Sequence, residues 1–267
     1  KALLDEGVVG KVISFEFNET IGSGHGGLIM GNWRRLRANA GTHLLEKCCH
    51  DFDIANWLIG ALPVRAASFG GLDFYIPANA YHIDRIGPDP AGVPAYSDNT
   101  LTAWNTPHQS LQKNPFTSDK DILDNQVVIL EYGNGVRATF HANCNSAIPE
   151  RRFYINGMEG TIRGDVREGI IEWRRIGWDK SIRREKSAAG GHGGGDVILG
   201  ASIASTMIEG TPPHAGLTDG LTSAISCFGV DLAQDEQRIV DLGPMWEKVN
   251  IDPTQFSPPV PPLCPSR

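Results

Sequence analysis

The chain has 267 residues, with 24 Lys and Arg against 31 Asp and Glu, and the resulting net charge of −7 excludes a protein that binds nucleic acid through bulk positive charge. Hydrophobic content of 40% and charged content of 21% are ordinary for a globular protein, enough for one large domain or two small ones. No apolar run approaches the ~20 residues of a membrane span, and five cysteines, an odd number with Cys48 beside Cys49, point to reduced cytoplasmic thiols rather than a disulfide framework.

No secretory signal opens the chain. Residues 1–7 read as the last turns of a helix that passes at once into a strand, so the chain is expected to be cut from a larger protein. The strand at 12–21 alternates, with Ile13, Phe15 and Phe17 on one face and Ser14, Glu16 and Asn18 on the other. Gly22, Gly24 and Gly27 then satisfy G-x-G-x-x-G. The dinucleotide fingerprint needs a helix directly after it and an acid ~20 residues on. Met30-Gly31-Asn32-Trp33 is a poor helix start, so a loop is expected here and no phosphate site. Trp33-Arg34-Arg35-Leu36-Arg37 groups arginines around an aromatic, either as a solvated loop or as an anion or sugar contact at the mouth of a site.

Residues 42–59 are predicted as a single helix, stopped by Gly60 with Pro63 beyond. Leu44, Leu45, Cys48, Cys49, Phe52, Ile54, Ala55, Leu58 and Ile59 make it apolar nearly all round, which predicts burial. Glu46, His50 and Asp53 nevertheless share one face at spacings of four and three, with Lys47 and Asp51 beside them. Ionisable groups in a buried helix need partners or a use. Either they form a satisfied internal network, or a catalytic histidine is held by carboxylates beside a cleft.

Downstream, 64–75 reads as a strand and 76–121 as irregular. Asp119, Asp121 and Asp124 lack the glycine and closing glutamate of a calcium loop. A meander follows: a strand at 126–132, the turn Gly133-Asn134-Gly135, and a return strand with Val136, Ala138, Phe140 and Ala142 inward. A strand at 153–156 and a hairpin of 161–166 with 169–176 complete an antiparallel sheet. The glycine run 190–195 leads to a helix at 197–208, for which Asp196 is a plausible N-cap. That run is either a connector or a close backbone approach to a ligand. A helix at 218–234, a short edge strand at 238–242 and a proline-rich tail from 251 end the chain. His43, Cys48, Cys49 and His50 fit no standard zinc spacing, so no metal is expected.

The ordered set Gly10-Lys11-Val12, Trp33-Arg34, Glu46-Lys47-Cys48-Cys49-His50-Asp51-Phe52-Asp53, Trp57-Leu58-Ile59-Gly60, Asn156-Gly157 with Glu159-Gly160-Thr161-Ile162, and the His192 glycine loop resembles the C-terminal domain of the glucose–fructose oxidoreductase and inositol dehydrogenase (Gfo/Idh/MocA-like) family. The resemblance implies an α+β fold, an open, mostly antiparallel sheet with helices packed on one face, the N-terminal Rossmann domain being absent from this chain. Residues 1–11 would be the end of an inter-domain helix, 12–250 the substrate and oligomerisation domain, and 251–267 the tail. The family's acid-x-x-x-His motif falls on Glu46 and His50, with glutamate where aspartate is usual, and Asp53 is the other candidate acid. His50, Glu46 and Asp53 are thus the expected catalytic set. Trp33, Arg34, Lys47, His192 and Asp196 are the expected substrate-binding set.

The implied chemistry is oxidation of a sugar or polyol hydroxyl with NAD or NADP in the complete enzyme, the cofactor not being bound tightly by this chain alone. The implied partners are a Rossmann domain of the same protein and a second copy, as a homodimer or tetramer through the open sheet, with no nucleic acid and no membrane. The alternative is a non-enzymatic dimerisation or carbohydrate-binding module that keeps the fold.

Overall fold

The computed structural model describes residues 1–96, 113–186, 194–213 and 215–256. Within them a nine-stranded sheet runs in the order β8-β7-β6-β5-β1-β4-β3-β2-β9. The strands are β1 (Val12–Gly22), β2 (Pro63–Gly71), β3 (Asn125–Tyr132), β4 (Arg137–Ser146), β5 (Arg152–Gly157), β6 (Gly160–Asp165), β7 (Ile170–Arg175), β8 (Arg183–Lys186) and β9 (Val240–Asp241). Neighbours are antiparallel except β1 and β4, which pair in parallel. The mostly antiparallel α+β fold expected from the sequence is therefore present, with one parallel seam at its centre. That seam joins strands 100 and more residues apart, which no local turn signal reveals.

One face of the sheet carries the core. Phe15 and Phe17 on β1, Val128, Leu130 and Tyr132 on β3, and Ala138, Phe140 and Ala142 on β4 are buried against Leu44, Cys48, Phe52, Ala55 and Ile59. The period-two alternation of the strands is what sends these side chains to the same side. Ile13 departs from the expected face and is exposed, because the pairing of β1 with β5 slips between Val12 and Ser14. A long helix, α7 (Leu217–Glu236), covers the same face through Ile225, Val230 and Ala233.

Two local expectations are corrected. The stretch after β1 is not a loop but the helix α2 (Ser23–Gly31). Its glycines serve close packing: a Cβ on Gly26 would lie 1.8 Å from the Cys144 carbonyl oxygen, and one on Gly27 2.0 Å from that of Tyr96. Tertiary contact makes the helix, overriding the low intrinsic propensity of glycine. Residues 42–59 are not one regular helix either. Leu44–Cys48 form a π-helical turn, and α4 (Cys49–Ile59) follows, ended by Gly60 at φ +72°. Such π turns inside helices recur at functional sites, since the extra residue per turn re-aims side chains.

The strand predicted to reach Tyr75 stops at Gly71. Asp124 is the reason: its carboxylate accepts hydrogen bonds from the backbone N–H groups of Asp73, Phe74 and Tyr75 and bends the chain out of the sheet. The three aspartates rejected as a calcium loop are spread over separate tasks. Asp119 pairs with Arg35 and Lys113, and Asp121 accepts from the Arg37 N–H. After the glycine run, α6 (Gly195–Glu209) is capped by Gly194 at φ +85°, not by Asp196, which lies in its first turn. His192 and the tail from 257 lie outside the described residues. Among the described residues no helix is long and apolar enough to cross a membrane.

Candidate functional site

The π turn and the start of α4 bring most of the candidate residues to one place. Arg34 stands in a short 3-10 turn, Trp33–Arg35, whose backbone is fixed by the Asn32 side chain accepting from the Arg34 N–H at 2.8 Å. The Arg34 guanidinium lies 4.7 Å from the centroid of the Trp33 ring. Its Nε donates to Glu46 Oε1 at 2.6 Å. Glu46 is thereby occupied by Arg34 and not by His50, in contrast to the i,i+4 support read from regular helical spacing. Glu46 lies within the π turn and His50 in α4 beyond it, which breaks that spacing.

Beyond Glu46, Lys47 Nζ approaches Glu19 Oε1 at 3.6 Å. Glu19 also pairs with Arg151, whose Nε lies 2.8 Å from Glu19 Oε2 and 2.6 Å from Asp51 Oδ1. Two carboxylates and two cations thus form a charge-balanced cluster under the first turn of α4. Glu19 and Arg151 went unnoticed in the sequence. The only signal was three successive polar residues, Asn18, Glu19 and Thr20, at the end of an otherwise alternating strand, and all three are buried.

His50 is exposed at the edge of this cluster, with Nδ1 4.0 Å from Cys49 Sγ. Partial burial of the ring, and then the positive charges of Arg151 and Lys47, hold its pKa below the ordinary histidine value, against the opposing pull of Glu19 and Glu46. The lowering favours the neutral ring, whose unprotonated nitrogen is able to accept a proton. Asp51 is driven the other way, up to about 6, chiefly by burial. Seven residues before His50, His43 is enclosed with neither ring nitrogen hydrogen-bonded, and burial lowers its pKa to about 4.

Asp53 faces elsewhere. Its pKa is raised to about 6 by burial and then by Asp219 on α7, so it belongs to the contact between the two helices. The sign of the linkage follows from that direction. The folded state holds the proton more tightly than the unfolded chain, so ionisation weakens the fold as pH rises from about 4 to about 6. Asp53→Asn should therefore raise Tm at pH 8, by about 1 kcal/mol of stability after solvent screening, with the gain shrinking towards pH 5. Thermal melts of both proteins across that range check this, and a gain independent of pH would contradict it.

Trp33, Arg34, Glu46, Lys47 and His50 are thus assembled around one turn, Asp53 sits at the neighbouring helix contact, and Asp196 lies on α6, none of whose residues is buried. A separate hollow of about 490 Å³ lies on the open face of the sheet, between Glu16, Arg152, Tyr154, Arg163, Glu172 and Arg184, and does not include His50. No group of three His, Cys, Asp or Glu among the described residues is placed to hold a metal ion.

Comparison with known proteins bears on this arrangement. The chain is 24% identical over 235 residues to "Putative oxidoreductase YteT" of Bacillus subtilis (strain 168), covering 74% of this chain and 55% of that protein. Its fold is similar to that of levoglucosan dehydrogenase solved in complex with NADH and levoglucosan, with a TM-score of 0.65 at 16% identity, over 91% of this chain and 62% of that one. It is also similar to a structure titled "putative myo-inositol dehydrogenase from Sinorhizobium meliloti 1021", with a TM-score of 0.57 at 14% identity, over 91% of this chain and 60% of that one. The chain therefore spans a little over half the length of these relatives. Residues 1–172 match the family described as "Oxidoreductase family, C-terminal alpha/beta domain", and the chain belongs to that Gfo/Idh/MocA family.

Proposed function

We propose that this chain is the substrate-binding and catalytic-histidine domain of an NAD(P)-dependent oxidoreductase that acts on a sugar or polyol hydroxyl. The observation that carries the reading is His50: an exposed imidazole beside the Glu19, Asp51 and Arg151 cluster, on a helix that packs Phe52, Ala55 and Ile59 into the core. Oxidation of a secondary alcohol needs a group to take the hydroxyl proton as hydride leaves the carbon, and a neutral imidazole suits that transfer. Trp33 offers a half-open apolar ring for a sugar face, and Arg34 and Lys47 offer donors for neighbouring hydroxyls. The pairing of Glu46 with Arg34 fixes both side chains at the rim of the site. The presence of NADH and a sugar in the levoglucosan dehydrogenase structure supports the assignment.

The nicotinamide would supply the hydride acceptor. The glycines at 22–27 do not offer its cradle: the backbones of Gly26 and Gly27 abut the carbonyls of Cys144 and Tyr96, leaving no room for a pyrophosphate there. The dinucleotide is assigned to a Rossmann domain of the full-length protein. Full-length protein assayed with NAD and NADP against a panel of sugars and polyols is expected to show nicotinamide reduction, while NADH added to the 267-residue chain alone leaves its Tm unchanged. Tight NADH binding by this chain would overturn the division of labour.

The open face of the sheet supports self-association. Phe69, Val127, Ile129 and Tyr154 line it across β2, β3 and β5, with Phe69 75% and Ile129 54% exposed. Cross-strand neighbours Phe69 and Val127 form a contiguous apolar patch there. A homodimer or tetramer through this face is the reading we adopt. Light scattering should give a multiple of the 28.9 kDa chain mass, and Ile129→Lys should return the monomer. A monomeric wild-type protein would refute it.

A further inference from the structure

Arg151 lies just before β5 and 100 residues from Asp51 in sequence, yet its guanidinium sits between α4 and the sheet. Nε approaches Asp51 at 2.6 Å and Glu19 at 2.8 Å, and both carboxylates belong to residues only 5% exposed. Asp51 is the residue immediately after His50, so whatever holds Asp51 also sets the turn that carries the ring. We propose that Arg151 is a positioning residue for His50: by tying Asp51 on the helix to Glu19 on the sheet it fixes that turn, and it places a permanent positive charge in the cluster beneath it. The inference rests on the reading of His50 as the base.

Three observations support it. First, an arginine stays charged whatever its surroundings, so it is suited to a constant electrostatic task. Second, the cluster is enclosed: Glu19 and Asp51 are each only 5% exposed, so the ion pairs they make with Arg151 are little screened by solvent. Third, the ionisable groups that act on the ring are few and of opposed sign. Arg151 from just before β5 and Lys47 from the π turn disfavour the imidazolium, while Glu19 from β1 and Glu46 from the π turn favour it. Cys49 lies beside the ring on α4 itself, 4.0 Å from Nδ1. Lys47 is drawn towards Glu19 and Arg34 holds Glu46, which leaves Arg151 as the cation anchored by two carboxylates.

The experiment is a proton–nitrogen NMR titration of the His50 ring in wild type, Arg151→Gln, Arg151→Lys and Glu19→Gln, with the signal assigned by its loss in His50→Gln. Arg151→Gln should raise the titration midpoint by about half a pH unit or more. Arg151→Lys, which keeps the charge but not the fork, should stay near wild type. Glu19→Gln should move the midpoint down. In full-length enzyme the acid limb of the rate profile should move with the midpoint, with kcat affected more than KM. Should Arg151→Gln fail to fold, Glu19→Gln still decides the matter, since it removes one of the two carboxylates that anchor Arg151. A midpoint unchanged in Arg151→Gln, or failing that in Glu19→Gln, overturns the proposal. Undiminished turnover by a His50 variant, with the midpoint shifts intact, would instead sink the base assignment and leave the Arg151 coupling standing.

Discussion

Replacing His50 by Ala in the full-length protein should lower kcat by about 100- to 10,000-fold, the range by which a positioned general base accelerates proton transfer. The fold should survive, because the residue is exposed and none of the core contacts involves its ring. A Tm within a few degrees of wild type is the control that makes the loss a chemical one. The pH dependence gives an independent sign. Because the ring's pKa lies below the ordinary value of 6.5, the acid limb for alcohol oxidation should have its midpoint below that value, and rate should fall only as pH drops through it. The limb should vanish in His50→Ala, whose residual rate no longer depends on that proton. If turnover is unchanged with the fold intact, the domain is a non-enzymatic dimerisation or carbohydrate-binding module, and the lowered pKa of His50 is a by-product of the cluster beneath it.

The second large effect is structural. Phe52 is fully buried on α4, two residues after His50, with its ring 5.6 Å from that of Phe17 on β1 and 5.2 Å from that of Phe140 on β4. Both contacts are edge-to-face, the favoured geometry for aromatic pairs. Phe52→Ala should cost about 3–5 kcal/mol, combining lost transfer energy with an unfilled cavity. Against a typical total of 5–15 kcal/mol that removes a large share of stability, and Tm should fall on the order of 10 °C. Phe52→Leu, which refills most of the volume, should cost less than half as much. Chemical denaturation of the three proteins measures this directly, and a cost below about 1 kcal/mol for the alanine variant would mean that α4 is not anchored through this cluster. Turnover in the full-length protein should drop with Phe52→Ala even where the protein stays folded, since the ring docks the helix that carries the proposed base.

Much of this was legible before any coordinates. The alternation of Phe15 with Phe17, and of Ala138, Phe140 and Ala142, determined which side of each strand is buried, because a pleated strand sends successive side chains to opposite faces. The turn at Gly133-Asn134-Gly135 and the stop at Gly60 followed from local backbone sterics alone. The concentration of ionisable groups on one apolar helix marked it as the candidate site, since such groups are costly to bury without partners or a use.

What the tertiary structure decided was how those groups are paired. Helical spacing put Glu46 under His50, but a π turn and an arginine from a preceding loop took Glu46 away. Two further residues that act on His50, Glu19 on β1 and Arg151 just before β5, meet the helix only when the sheet closes, and no local pattern records a contact across 100 residues. The same holds for the helix Ser23–Gly31, whose glycines look like loop formers until Cys144 and Tyr96 are packed against them. Propensity and periodicity report on neighbours along the chain. Charge pairing and close backbone approach depend on neighbours in space, and only the folded sheet supplies those.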